Sequence, residues 1–242
     1  MAKKRRADQL RDVSFQRHYT EAPYGSVLVA MGKTQVLCTA SVVEGVPPWL
    51  RGRGEGWVTA EYAMLPGATR ERRPRRDDGR AAEIQRLVGR SLRAVVDRLL
   101  LGERTLWLDC DVLQADGGTR TAAVNGSYMA LVDALTRLKA EGALTQWPLR
   151  AALAAVSVGI VDGRAVLDLD YALDSEAEVD MNIVMTSRGE FVELQGTAEH
   201  GTFDGTQLSR MLRLARKGIR KLFELQDRAL GRTGREKQGA KR

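Results

Sequence analysis

The sequence predicts an α+β fold in which antiparallel β-sheets carry helices packed on them. β-rich runs occur in pairs joined by tight-turn residues, and apolar residues recur at three- and four-residue steps in longer segments. The order of hairpin followed by helix occurs twice, which indicates an internal structural duplication with a period of about 110 to 120 residues. We therefore expect a single domain over residues 1–230, followed by a basic, disordered tail at 231–242.

The first half begins with a hairpin. Ser26–Ala30 and Thr34–Val43 are β-rich, and Met-Gly-Lys joins them. Apolar residues at helical spacing follow from Ile84 to Leu99. A strand-like run over Thr105–Val112 then leads into a predicted helix from about Thr121 to Ala140.

The second half repeats this order. A hairpin is predicted from the runs 155–160 and 165–172, which Val-Asp-Gly-Arg joins. A second hairpin is predicted from the runs 181–186 and 190–195, which Ser-Arg-Gly joins. The apolar spacing from Leu208 to Leu222 then predicts the closing helix.

Composition excludes several classes of protein. The chain has 242 residues, of which 43% are hydrophobic, which is too many for a wholly disordered protein. Its longest apolar stretches fall far below the roughly 20 residues of a membrane-spanning helix, so no membrane association is expected. No apolar run follows the basic start MAKKRRADQLRD, so we expect a cytoplasmic protein with no secretory signal.

The cysteines and histidines do not form a recognisable site. Cys38 and Cys110 lie alone in apolar runs and are expected to be reduced core thiols. His18 and His200 are too scattered to complete a zinc site with them, and are expected to be surface or structural residues. Any metal ion is therefore expected to be bound by oxygen ligands.

The net charge of +7 conceals a strong separation of charge along the chain. Residues 1–17 carry +4, residues 70–80 carry +3 and residues 210–242 carry +9, whereas residues 161–204 carry −9. Such basic tracts beside an acidic block suggest a polyanionic partner bound at one place and processed near cations at another, although a solvated surface remains an alternative. The arginine tract at 70–80 contains Pro74 and Gly79, which interrupt regular secondary structure, so we expect it to form an exposed loop.

The stretch LDCDVLQADGGTRTAAVNG, residues 108–126, is the strongest local signal. A strand runs into a Gly-Gly turn and then a helix, which directs backbone N–H groups toward an anion. Gly118 permits close approach, Thr119 offers a hydroxyl and Arg120 offers a forked donor. Arg80, just ahead of the helix around EIQR, is a second candidate donor. A plain tight turn remains the alternative, and neither a P-loop nor a Rossmann pattern is present.

The stretch DSEAEVD places acidic residues at every second position, at 174, 176, 178 and 180. On an extended strand these carboxylates would share one face, so their repulsion would have to be relieved by solvent, protonation or a cation. Oxygen ligands of this kind suit Mg²⁺ or Mn²⁺ bridging to a substrate phosphate. A solvated acidic loop is the alternative.

Several stretches, in one order over about residues 8 to 228, resemble the ribonuclease PH family. They are GSVLVAMGKTQVLCTASV, GWVTAEYAMLP, EIQRLVGRSLRA, LDCDVLQADGGTRTA, AAVSVGIVDG, DSEAEVDMNIVMT and ELQGTAE. The resemblance implies duplicated β–α units of the ribosomal protein S5 domain 2 type and a homohexamer built as a trimer of dimers. It also implies phosphorolysis, in which inorganic phosphate removes 3′ nucleotides of tRNA precursors, and in some cases of rRNA, as nucleoside diphosphates.

The resemblance also implies roles for particular residues. Arg80, Gly118, Thr119 and Arg120 would bind phosphate, whereas Asp174 and Asp180 would place a divalent cation (Mg²⁺ or Mn²⁺) or supply a general acid. The arginine loop would contact RNA near the ring opening through Arg70, Arg72, Arg73, Arg75 and Arg76. A non-catalytic RNA-binding subunit of an exosome-type ring is the competing hypothesis, and the presence of both phosphate-site arginines and both aspartates argues against it.

Overall fold

A computed structural model describes residues 5–74, 79–199 and 201–232. These residues form two sheets with helices packed against them. The strands are β1 (Val13–Arg17), β2 (Gly25–Met31), β3 (Thr34–Glu44), β4 (Trp57–Met64), β5 (Arg104–Gln114), β6 (Leu153–Val161), β7 (Arg164–Leu167), β8 (Val179–Thr186) and β9 (Phe191–Ala198). The helices are α1 (Gly79–Val95), α2 (Arg98–Leu101), α3 (Thr119–Ala140), α4 (Tyr171–Ser175) and α5 (Gly205–Ala229).

The first sheet has the strand order β1-β2-β3-β5-β4, and α1 and α3 pack on one of its faces. Along β5, buried and more exposed residues alternate, because one face of the sheet meets these helices while the other carries side chains such as Trp107, which is 38% exposed. Cys38 and Cys110 are opposed in the β3–β5 register and are buried free thiols, as predicted. All pairs are antiparallel except β4–β5, which is parallel with α1 as its crossover.

The second sheet, with the order β7-β6-β8-β9, is antiparallel throughout. Asp162 and Gly163 connect β6 to β7 and both have positive φ, which is the backbone conformation of a tight two-residue hairpin turn. Helix α3 packs against both sheets and is buried along most of its length. Helix α5 packs on β6 and β7 and begins with a reciprocal capping box between Asp204 and Gln207.

The α+β class with its antiparallel sheets is confirmed, but local predictions differ at three places. Helix α1 ends at Val95 rather than continuing to Leu99, because Asp97 caps the separate short helix α2 and leaves Leu99 65% exposed. The predicted strand 165–172 ends at Leu167, after which Asp170 caps α4. Strands β1 and β4 were not predicted at all.

The acidic run is not one extended strand, so the condition under which its four carboxylates would share one face is not met. Asp174 lies in α4, Glu176 caps the end of that helix, and only Asp180 lies within β8. The capping side chain of Asp170, which accepts a hydrogen bond from Leu173 N, favours a helical turn over the extended conformation that the alternating charges suggested.

No helix formed by the described residues is long and apolar enough to span a bilayer. Helix α5 ends at Ala229, and Arg232 N donates to Asp227 O (2.8 Å) in the turn that closes the helix. The rest of the predicted tail, residues 233–242, lies outside the described part of the chain, as does His200.

Candidate active site

The Gly-Gly turn connects β5 to α3. Gly117 and Gly118 both have positive φ, at 74° and 67°, a conformation that side chains disfavour. A Cβ atom on Gly117 would lie 2.6 Å from the Asp170 carbonyl carbon, so the turn packs directly against the segment that leads to α4. Gly118 is the N-cap of α3, and the first N–H groups of that helix have no intrahelical acceptor. They provide a partially positive helix N-terminus.

Thr119 is the first residue of α3 and is only 5% exposed. The hydroxyl of Tyr62 on β4 donates a hydrogen bond to Thr119 Oγ1 at 2.9 Å. Burial raises the pKa of Tyr62, so its hydroxyl keeps its proton and stays a donor. The threonine hydroxyl is therefore held in a fixed orientation, and its own proton remains available to an acceptor.

Two arginines lie on the basic side of the site. Arg80 is the second residue of α1, and Arg120 is the second residue of α3. The Nη1 atom of Arg120 donates to Glu83 Oε1 (3.1 Å) and to Gln195 Oε1 (2.9 Å). The hydrogen bond from Gln195 is the main reason that the pKa of Glu83 is lowered, with Arg120 and Arg80 contributing. These contacts orient one edge of the Arg120 guanidinium.

Asp174 on α4 and Asp180 on β8 form the acidic side. Desolvation is the main cause that raises the pKa of each carboxyl group. The pKa of Asp180 is raised further by the charges of Asp174 and Glu199, whereas Arg80 and Arg120 act to lower the pKa of Asp174. The environment thus favours a proton or a cation at this pair of carboxylates.

A single cavity of about 340 Å³ brings the two sides together. Six predicted site residues line it, and Ser157 on β6, Asn182 on β8 and Glu199 just after β9 add polar groups. The six are Arg80, Gly118, Thr119, Arg120, Asp174 and Asp180. The cavity therefore opposes two arginines and a helix N-terminus to two aspartates, which suits a bound anion next to a protonated or cation-bound carboxylate pair.

The predicted RNA-binding arginines lie elsewhere. Arg70, Arg72 and Arg73 are exposed and do not line this cavity, although Arg73 N donates to Pro66 O (2.9 Å). Arg75 and Arg76 lie outside the described residues. The contact of these five arginines with RNA stays a prediction.

Sequence reasoning missed four residues in or next to the site, of which Glu199 lines the cavity itself. Tyr62 lies within GWVTAEYAMLP, Glu83 is the first residue of EIQR, and Gln195 and Glu199 lie within ELQGTAE. The family resemblance rests on these stretches, yet no role was predicted for these four residues. The signal was present, but their functional partners are distant in sequence, so spacing could not reveal them.

The site fits a divalent cation that is only partly coordinated by protein. Two carboxylates near one cavity suit Mg²⁺ or Mn²⁺, which often keep several waters and bind substrate phosphate. Within the described ranges, no cluster of three or more His, Cys, Asp or Glu residues is arranged to hold a metal ion. The remaining ligands would therefore be water and substrate oxygens.

The fold and the site together define a class of protein, a phosphate-dependent nucleotidyltransferase. Two family models match the chain: domain 1 of the 3′ exoribonuclease family over residues 9–136 and domain 2 over residues 151–218. The chain therefore belongs to the 3′ exoribonuclease family that includes ribonuclease PH, which confirms the resemblance and the predicted phosphorolytic enzyme class.

The relatives agree with this assignment. The chain is 58% identical over 232 residues to ribonuclease PH of Synechococcus sp. (93% of this chain, 95% of the relative). It is 54% identical over 234 residues to that of Halalkalibacterium halodurans (94% of this chain, 91% of the relative).

Two solved structures share the fold at low identity. Rice Rrp46 has a TM-score of 0.78 at 18% identity, covering 95% of this chain and all of the other. The Archaeoglobus fulgidus exosome with RNA bound to the active site has a TM-score of 0.76 at 22% identity, covering 91% and 90%. These likenesses confirm the fold.

Proposed function

We propose that this phosphate-dependent 3′-to-5′ exoribonuclease trims tRNA precursors, and also rRNA, with inorganic phosphate bound by Arg80, Gly118, Thr119 and Arg120. The observation that carries the proposal is the cavity in which these four groups face Asp174 and Asp180. A nucleophilic anion and a scissile phosphodiester repel each other, so a site that brings them together needs concentrated positive charge on the side of the nucleophile. Two arginines and the N-terminus of α3 provide it.

The reaction is an in-line displacement. A phosphate oxygen attacks the phosphorus of the terminal phosphodiester, and the bond from that phosphorus to the 3′ oxygen of the penultimate ribose breaks. The products are a nucleoside diphosphate and an RNA shortened by one nucleotide, whose 3′ oxygen takes up a proton. The reverse reaction adds a nucleotide to the RNA 3′ end and releases phosphate. No covalent enzyme intermediate is needed.

The aspartates act on the leaving oxygen. A carboxyl group whose pKa is raised by desolvation retains a proton more readily, and Asp174 or Asp180 in that state donates it to the leaving 3′ oxygen. Alternatively, the same two carboxylates would hold Mg²⁺ or Mn²⁺, and the ion would supply stabilisation of the negative charge on the leaving oxygen. The two roles are alternatives for one pair of residues.

The decisive experiment uses an RNA with a defined 3′ extension. With phosphate present, we expect shortening of the RNA and nucleoside diphosphates as the sole nucleotide product. Without phosphate, we expect no shortening. Release of nucleoside monophosphates in phosphate-free buffer would show hydrolysis and contradict the proposal. Comparing extended tRNA with extended rRNA fragments of equal 3′ sequence tests the substrate preference.

RNA binding beyond the cavity is assigned to the arginine loop and to the basic tail. Arg70, Arg72, Arg73, Arg75 and Arg76 would neutralise RNA phosphates without reading sequence. Replacing these residues should flatten the dependence of RNA binding on salt concentration while leaving the KM for phosphate unchanged. An unchanged salt slope would remove the loop from the RNA path.

The assembly that we propose is a cytoplasmic homohexamer, a trimer of dimers. Apolar side chains on the open face of the first sheet, Trp107 at 38% and Val43 at 49% exposure, are available for contacts between copies. The alternative is a subunit of an exosome-type ring, since one of the structures that share the fold is an exosome. The mass of the native particle separates a homohexamer from a mixed assembly.

A further inference from the structure

A buried ion pair lies behind the phosphate-binding turn. Arg11, just before β1, meets Asp168, just after β7, and the side chain of Arg11 is 6% exposed while that of Asp168 is fully buried. Arg11 Nη2 and Nε donate to the two carboxylate oxygens at 2.8 and 3.1 Å, and Arg11 N donates to Oδ2 at 2.8 Å. Burying two charges costs a large desolvation penalty, so an ion pair of this kind often adds little to the stability of the fold. A second role accounts for it better.

The same guanidinium also holds the turn. Arg11 Nη1 donates to Asp116 O at 2.7 Å and approaches Gly117 O at 3.4 Å. Thr34 on β3 secures these residues from a second direction, because its hydroxyl donates to Gly117 O (2.6 Å) and accepts from Asp116 N (2.9 Å). Both carbonyl groups that precede the phosphate-binding residues are therefore fixed.

Fixing these carbonyls fixes the donors of the site. In a trans peptide the C=O and the following N–H point in opposite directions. The Gly117 carbonyl is directed at Arg11 and Thr34, so the N–H of Gly118 points away from them. Gly118 lines the cavity, and its backbone is the part of the turn that would contact phosphate. Arg11 itself does not line the cavity, so its guanidinium contacts the turn and not the ligand, although its charge also helps to lower the pKa of Asp174.

Asp168 connects this arrangement to the acidic side. It opens the segment that leads into α4, and its backbone N–H donates to Ser157 O at 2.7 Å. The Gly117 turn packs against that segment at Asp170 and Tyr171. One ion pair thus joins the turn, which belongs to the first half of the chain, to the segment that carries Asp174, which belongs to the second half.

We infer that Arg11 is a positioning residue for phosphate binding. Arg11 orients the backbone N–H of Gly118 and holds this donor at a fixed separation from Asp174. The inference rests on the proposed phosphate role of Gly118, Thr119 and Arg120. Arg11→Lys keeps the charge but cannot reach Asp168 and both carbonyls at once. It is expected to raise the KM for phosphate about tenfold, the equivalent of one charge-assisted hydrogen bond. The KM for RNA should stay within about twofold.

The matched control is the Arg17–Asp133 pair, in which the Asp133 carboxylate is buried and the Arg17 side chain is 24% exposed. Arg17 donates to Asp133 Oδ1 and to the Ala229 carbonyl, and neither Arg17 nor Asp133 lines the cavity. Arg17→Lys should lower the thermal unfolding temperature and leave the KM for phosphate unchanged. Thr34→Val, which removes the second hydrogen bond to the Gly117 carbonyl, should raise the KM for phosphate as Arg11→Lys does, and it serves if the lysine variant fails to fold.

The experiment measures initial rates at varied phosphate and saturating RNA, then at varied RNA and saturating phosphate, and it also measures the rise in unfolding temperature on adding inorganic phosphate alone. We expect the Arg11→Lys and Thr34→Val variants to need more phosphate in both measurements. Equal changes in both KM values, or a phosphate response like that of the wild type in both variants, would overturn the inference. If wild-type turnover does not depend on phosphate, the proposed function fails, whatever the variants do.

Discussion

Arg120 offers the sharpest test of the basic side of the cavity. Its side chain is 19% exposed and lies at the N-terminus of α3, so a contact to phosphate there is poorly screened by water. Removing one such preorganised donor costs about 2–4 kcal/mol of transition-state stabilisation, or about 30- to 1,000-fold in rate. Arg120→Ala should therefore lower kcat/KM for phosphate within this range. Arg120→Lys, which keeps the charge without the fork, should lose about tenfold.

The fold should tolerate the change. Glu83 is 46% exposed and keeps its hydrogen bond from Gln195, so Arg120→Ala should cost less than about 1 kcal/mol of unfolding free energy. Arg137→Ala is the control, because Arg137 lies on the same helix but does not line the cavity; it pairs at the surface with Glu141 and lies over the Tyr24 ring. Phosphorolysis rates at varied phosphate and thermal unfolding of each variant provide the measurements. Wild-type kcat/KM in the Arg120→Ala variant would refute the assignment.

Three further predictions concern the rest of the site. Asp180→Asn should abolish turnover yet raise the unfolding temperature at pH 7 in metal-free buffer. The pKa of Asp180 in the folded protein lies above the unfolded value of 3.8, so ionisation of its carboxyl group destabilises the wild-type native state as pH rises. The higher unfolding temperature of the variant should therefore disappear below pH 3.8. An Asp180→Asn variant that unfolds earlier than wild type at pH 7 would contradict this. Tyr62→Phe should raise the KM for phosphate about three- to tenfold, since it removes only the hydrogen bond to the threonine hydroxyl; an unchanged KM would make that bond irrelevant to binding. Gly117→Ala should be inactive and several kcal/mol less stable, whereas Gly142→Ala, at a similar positive φ but with open space around it, should cost only about 1 kcal/mol by denaturant unfolding. Equal costs for the two would mean that packing against the turn is unimportant.

Local pattern predicted the secondary structure best where one physical signal dominates. The apolar spacing of α5 and the short turns of the hairpins predict elements that the structure contains. The alternating acids at 174–180 suggested an extended strand, but the structure has a helical turn there. Spacing alone does not show that Asp170 caps this turn. Strand β4 was missed although it carries Tyr62, whose partner Thr119 lies 57 residues away.

The site residues show the same limit. Gly118, Thr119 and Arg120 are consecutive, so a single motif predicts them together. Arg11 and Asp168 are separated by 157 residues, and nothing in either neighbourhood indicates that they meet. Burial of a charged pair is a property of the folded chain, and only the tertiary structure exposes its role.

The packing of the Gly117 turn against Asp170 and Tyr171 has a consequence during protein synthesis. The first half of the chain, with the proposed phosphate-binding turn, leaves the ribosome before α4 and β8 have been synthesised. A nascent chain at that stage has the basic wall of the cavity without the opposing wall. The proposed mechanism therefore predicts that such a chain does not phosphorolyse the RNA around it, including the tRNAs that are decoding it, until the second half has been made and has docked.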